Sequence, residues 1–174
     1  MLHTSYYHIV ILSLFQLIAA PAFSQISDAI GSASLSGLAC FKVTVGDLNP
    51  ELQRDGLKAE ELRSDFERRL HAAEIGILTQ PVWIDTLGGA ELYVEVSALK
   101  YSSTQYSYWI RASVLQKVSL NRKIPRETLG ATWSVSAMGV AGMSSITDKI
   151  KEQAGTLLDR FIGDYISANK PIKR

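Results

Sequence analysis

Over residues 106–120 polar and apolar side chains alternate for fifteen residues. A period of two sustained that far is the signature of a strand with one face buried. Tyr106, Tyr108, Ile110, Ala112, Val114, Val118 and Leu120 share one side, interrupted by Gln116. Ser107, Trp109, Arg111, Ser113, Leu115, Lys117 and Ser119 share the other. Such a strand needs neighbours to pair with and a second layer over its apolar side. It also exceeds the usual strand length of roughly 3–10 residues, which predicts a bend or an overhang.

Both requirements are met elsewhere in the chain. Alternation recurs over 38–45, 91–98 and 131–138; in the last, Ala131, Trp133, Val135 and Ala137 oppose Thr132, Ser134, Ser136 and Met138. Residues 77–84 read as a further strand, with an edge or bulge at Pro81, whose nitrogen cannot donate to a ladder. Two segments change to helical spacing. Leu57, Leu62, Phe66, Leu70 and Ala73 line one side of the first, with Gly76 as its stop and charged residues such as Glu60 and Arg63 opposite. Ile146, Ile150, Ala154, Leu157, Leu158, Phe161, Ile162 and Tyr165 form the stripe of the second, capped by Ser144-Ser145 and ended by Asn169 and Pro171.

The breaks between these segments are short. They comprise 47–50, Gly88-Gly89, the polar turn 102–105, the basic loop 121–127, and Gly139–Gly142 read as a connector. The predicted order is β-α-β-β-β-β-α. Short turns predict an antiparallel sheet of four to five strands, and one apolar stripe per helix predicts two helices packed on one face. Residues 37–170 are thus expected to form a single α+β domain in two layers.

Ahead of that domain the first 24 residues carry no Asp, Glu, Lys or Arg. Residues 9–20 are an apolar core broken by Ser13 and Gln16, the size of a secretory h-region and short for a bilayer span. Ala22-Phe23-Ser24 places small residues where a signal peptidase reads, predicting a signal peptide over 1–24 and cleavage before Gln25. The expected location is periplasmic or secreted, with no membrane span left after cleavage. The alternative is an uncleaved single-pass anchor, because MLHTSYYH lacks a charged side chain. Residues 25–36, QISDAIGSASLS, are small and polar and read as a flexible lead-in.

Cys40 is the chain's one cysteine. A lipid acceptor directly follows the h-region and has a bulky aliphatic residue three positions ahead; here that position is Gly37, and the h-region ends at Ala20. A thiol nucleophile wants a histidine, and beyond residue 24 the chain has His71 alone, in a predicted helix. Cys40 therefore reads as a buried strand residue.

Catalytic patterns are missing from the sequence. There is no HExxH, no cysteine pair, no P-loop or dinucleotide fingerprint, and no G-x-S-x-G. Ser97-Ala98-Leu99-Lys100 matches S-x-x-K without its companion motifs. Neither enzyme chemistry, metal nor cofactor is expected. With 18 basic and 17 acidic side chains the net charge is +1, so no bulk field favours nucleic acid.

A two-layer domain leaves one sheet face uncovered. Tyr93, Trp109 and Arg111 on that face resemble an aromatic–arginine contact patch. Lys117 with Arg122, Lys123 and Arg126 makes a basic hairpin tip suited to an acidic partner or a lipid headgroup. The stretch GLKAEELRSDFERRLHAAEIGI, followed by alternating strands, resembles small exported bacterial proteins of unassigned function. Its helix–sheet–helix outline is similar to that of envelope-assembly proteins serving lipopolysaccharide or Tol systems. The resemblance implies an envelope role and brings no catalytic or ligand motif. The expectation is a non-enzymatic binding or assembly module that meets an envelope protein through a sheet edge or the open face. The alternative is a carrier of a small apolar ligand, lined by Phe66, Ile110, Leu158 and Phe161.

Overall fold

The computed structural model describes residues 30–79 and 84–170. The expected signal segment, its cleavage point and the Pro81 edge lie outside those residues. In chain order the elements are β1 (Cys40–Val45), α1 (Pro50–Arg54), α2 (Ala59–Ala72), β2 (Gly76–Ile77), β3 (Gly89–Lys100), β4 (Gln105–Leu120), β5 (Arg126–Gly142) and α3 (Ile146–Ala168). The α+β class holds, and the two long helices pack on one face of a five-stranded sheet.

The sheet is mixed, which corrects the antiparallel expectation. Its order is β2-β1-β3-β4-β5, with β1 parallel to both β2 and β3 and the remaining pairs antiparallel. The cause lies in the connections. From β1 the chain crosses over through α1 and α2 and returns alongside as β2, which makes the pair parallel. It then passes to the other side of β1, where Ala39 N–H donates to Gly88 O at 2.8 Å. Gly88-Gly89 is therefore the entry to β3 rather than a hairpin turn. Gly76, read as a helix stop, lies in β2: a Cβ there would sit 2.6 Å from Ala39 O, so only glycine admits so close an approach. The helix itself is closed by Glu74, in the left-handed region at φ 59°.

Four further corrections concern local chemistry. The break at 47–50 opens α1, because Asn49 Oδ1 accepts from Leu52 N–H at 3.0 Å and Pro50 occupies the first turn. Strand β5 runs through the supposed connector to Gly142, and Gly139 is needed there because a Cβ would meet Tyr108 Oη at 2.7 Å. Between Val114 and Leu115 the β4–β5 register shifts: Val114 faces Trp133 but Leu115 faces Ala131, leaving Thr132 as the extra residue of a bulge. Ala131 thereby parts from Trp133 and shares the face of Leu115. Ser145 does begin α3, but its hydroxyl donates back to Gly142 O at 3.2 Å instead of capping the helix.

Residues 30–36, the described part of the expected lead-in, are docked rather than loose. A helical turn at 30–33 is followed by Leu35, which is fully buried, and Ser34 Oγ donates to Thr132 O at 3.1 Å. Behind it the core closes around Phe161, whose ring meets Phe41 at 5.1 Å and Trp133 at 5.3 Å edge-on. Ion pairs Arg69–Asp159 and Lys151–Glu61 tie α2 to α3 across the outer surface. Phe66, Ile110, Leu158 and Phe161, the expected lining of a ligand chamber, are packed within this core and sealed from solvent.

Candidate functional site: the open face of the sheet

Strand parity sorts the site residues before any contact is considered. Even-numbered residues of β4 from Tyr106 to Val114 turn to the helices and are buried; Ser107, Trp109 and Arg111 turn away. Register then fixes their neighbours across the strands. Ser97, Trp109 and Met138 form one rung, Leu99, Ser107 and Val140 the next towards the 101–104 turn, and Glu95, Arg111 and Ser136 the rung on the other side. Leu99, Trp109, Met138 and Val140 therefore converge on a depression of about 400 Å³, shared with Ser97, Ser107 and Gly139. Met138 is 80% exposed, Leu99 67% and Val140 60%, so this end of the face presents apolar atoms to water.

Of the predicted residues, Trp109 and Arg111 belong to this patch. Arg111 has no ion-pair partner among the described residues, although Glu95 lies opposite it. Tyr93 shares the face but leans the other way: a Cβ on Gly46 would sit 2.7 Å from its Oη, so the ring lies over the end of β1. Lys117 is engaged with Glu127 at 2.7 Å, and that hydrogen-bonded carboxylate raises its pKa. Arg122 and Lys123 lie in the tip at 121–125, with Arg126 opening β5 opposite Leu120. Roughly 36 Å of strand separates Trp109 from Leu120, so the tip and the aromatic patch are two places rather than one.

Leu99, Met138 and Val140 were not foreseen. Alternation places Met138 on the correct side, but it leaves Val140 in the expected connector and Leu99 beyond the expected strand. The usable signal was the absence of charge from Thr128 to Thr147, a run of twenty residues that continues the strand past its glycines.

Other candidates dissolve in the same geometry. Ser97 faces out, whereas Lys100 turns to the helix side and lies 5.5 Å over the Tyr106 ring. Glu91 accepts from Thr44 Oγ1 at 2.5 Å and pairs with Lys42 at 3.7 Å. His71 is exposed in the last turn of α2. Cys40 sits within β1 between β2 and β3, half-buried rather than fully so.

No protein-family model and no curated protein matches the chain. Among solved structures it is similar to rare lipoprotein B from Shewanella oneidensis, at 12% identity and a TM-score of 0.33, over 74% of this chain and 94% of that one. A minor lipoprotein from Acinetobacter baumannii aligns at 12% identity and a TM-score of 0.27, over 76% and 87%. Similarity at this level assigns no role. Among the described residues no helix is long and apolar enough to cross a membrane.

Proposed function

We propose that this chain is a non-enzymatic module of the bacterial cell envelope that holds another envelope protein against the open face of its sheet. The observation that carries the proposal is the apolar cluster of exposed Leu99, Met138 and Val140 with half-buried Trp109, beside an Arg111 that has no ion-pair partner among the described residues. An aromatic anchor, flexible methionine and a free guanidinium are the side chains that dominate contact surfaces. They stand on rigid strands, and no helix of the described residues covers them. The charge-free apolar N-terminal segment supports delivery to the envelope. The basic tip is a secondary contact for an acidic surface.

The test is co-purification from native envelope after cross-linking, comparing wild type with Trp109→Ala and with Arg111→Ala. Loss of the same cross-linked species in both variants, with the far-ultraviolet spectrum unchanged, is expected. An identical set of species from all three proteins would remove the open face from consideration.

A further inference from the structure

The two edges of the sheet are unlike. At one side β2 is two residues long, too short to template pairing, which is a usual way to protect an edge. At the other β5 runs for 17 residues, with β4 on its inner side and no strand on its outer side among the described residues. Past the Thr132 bulge, where Ser34 occupies the carbonyl, the outer main-chain groups of residues 134–141 take no partner among the described residues. The devices that guard an exposed edge are charge, proline and bulges. Residues 134–141 contain no charged residue and no proline, and the single register shift lies before them.

From this asymmetry we infer that β5 pairs with β5 of a second copy of the chain, antiparallel about a two-fold axis, to make a continuous ten-stranded sheet. The occupant follows from the chemistry of the edge. A second β5 brings no charge to residues 134–141, so no like-charged pair faces another across the seam. Among the other strands β1 carries Lys42, β3 Glu91, Glu95 and Lys100, and β4 Arg111 and Lys117; β5 alone has a long neutral run. An antiparallel strand is also complementary to itself, so one surface serves both partners.

Centred on Met138, the pairing places Ser136 opposite the partner's Val140, Ala137 opposite the partner's Gly139 and Val135 opposite the partner's Ala141. Small residues thus meet small residues. The charged Arg126-Glu127 and Asp148 fall beyond the paired stretch. The two Leu99–Trp109–Met138–Val140 clusters join across the axis into one strip. The inference thereby deepens the reading of this face as a contact surface and rests on it for the use of the strip.

The experiment takes protein expressed from the full sequence and purified natively, with mass measured by sedimentation equilibrium. Wild type is expected at twice the chain mass, and Met138→Lys, which sets two ammonium groups face to face at an exposed position, at the single chain mass. Ser136→Pro, which removes an edge donor, is expected to act likewise. In a Cys40→Ser background, Met138→Cys is expected to form a disulfide-linked dimer under mild oxidation, while Glu152→Cys on the outer face of α3 does not. A monomeric wild type with native circular dichroism, or Met138→Cys cross-links only to other proteins, would overturn the inference. If the wild type is monomeric and Trp109→Ala still loses its envelope partner, self-pairing fails while the proposed function stands.

Discussion

The phenol of Tyr106 donates to Asp55 Oδ2 at 2.6 Å, and that bond, with burial and the nearby carboxylate charge, pushes its pKa up to about 12. An unfolded tyrosine titrates near pH 10. The folded state therefore favours the protonated phenol. Its contribution is complete below about pH 10 and is lost as pH rises towards about 12. Tyr106→Phe should lower the urea midpoint at neutral pH and make the alkaline decline between pH 10 and about 12 shallower than in wild type; parallel pH curves for the two proteins would contradict this. A second residue test concerns space. Gly139→Ala sets a methyl group where Tyr108 Oη now lies, 2.7 Å away, and overpacking of that kind costs about 1–3 kcal/mol. Because the clash is with one ring, Tyr108→Leu in the same chain should cost less than it does in wild type, a non-additivity measurable in a double-mutant cycle.

At the scale of elements, α1 is the piece most dependent on one side chain. Asn49 accepts from Leu52 N–H and donates to Ala98 O at 2.8 Å, so it starts the helix and ties it to β3. Asn49→Ala should cost about 1 kcal/mol for the cap alone and speed amide exchange across Pro50–Arg54. Unchanged exchange there would show that packing of buried Leu52, not the cap, holds the turn. Asn49-Pro50 also illustrates what the sequence conceals. It reads as a break because both residues stop a strand, yet the same chemistry begins a helix.

Alternation made β1, β3 and β4 legible, and the apolar stripes made α2 and α3 legible, because each pattern is local. The parallel placement of β1 was not, since it depends on where α2 returns the chain. Gly139 and Gly142 look like a connector until Tyr108 is seen to require the space beside the first. For the site, parity alone put Trp109 and Arg111 on the open face. Leu99, Met138 and Val140 join them only through the three-strand register, which no single segment encodes.

Over the whole unit, the beginning and end of the described chain are fastened together by one side chain. Asn169, just past α3, accepts from Gly37 N–H at 2.9 Å through Oδ1 and donates through Nδ2 to Leu35 O at 3.1 Å and Tyr165 O at 2.9 Å. Tyr165 adds a bond from its hydroxyl to Leu38 O at 2.8 Å. Residues 35–38 are thus clamped onto the C-terminal turn of α3 on the helical side, while the apolar cluster occupies the opposite face of the sheet. On the proposed function, stability and contact fall to different faces. Asn169→Ala removes three bonds at a partly exposed site, where each is worth about 0.5–1.5 kcal/mol before water replaces it. The expected net loss is on the order of 1–2 kcal/mol, with faster amide exchange confined to residues 34–38. Adding Tyr165→Phe should extend that exchange towards Cys40 without altering cross-linking at Trp109. If loosening the clamp changed the cross-linked species, the two faces would be coupled, and the separation drawn from their geometry would fail.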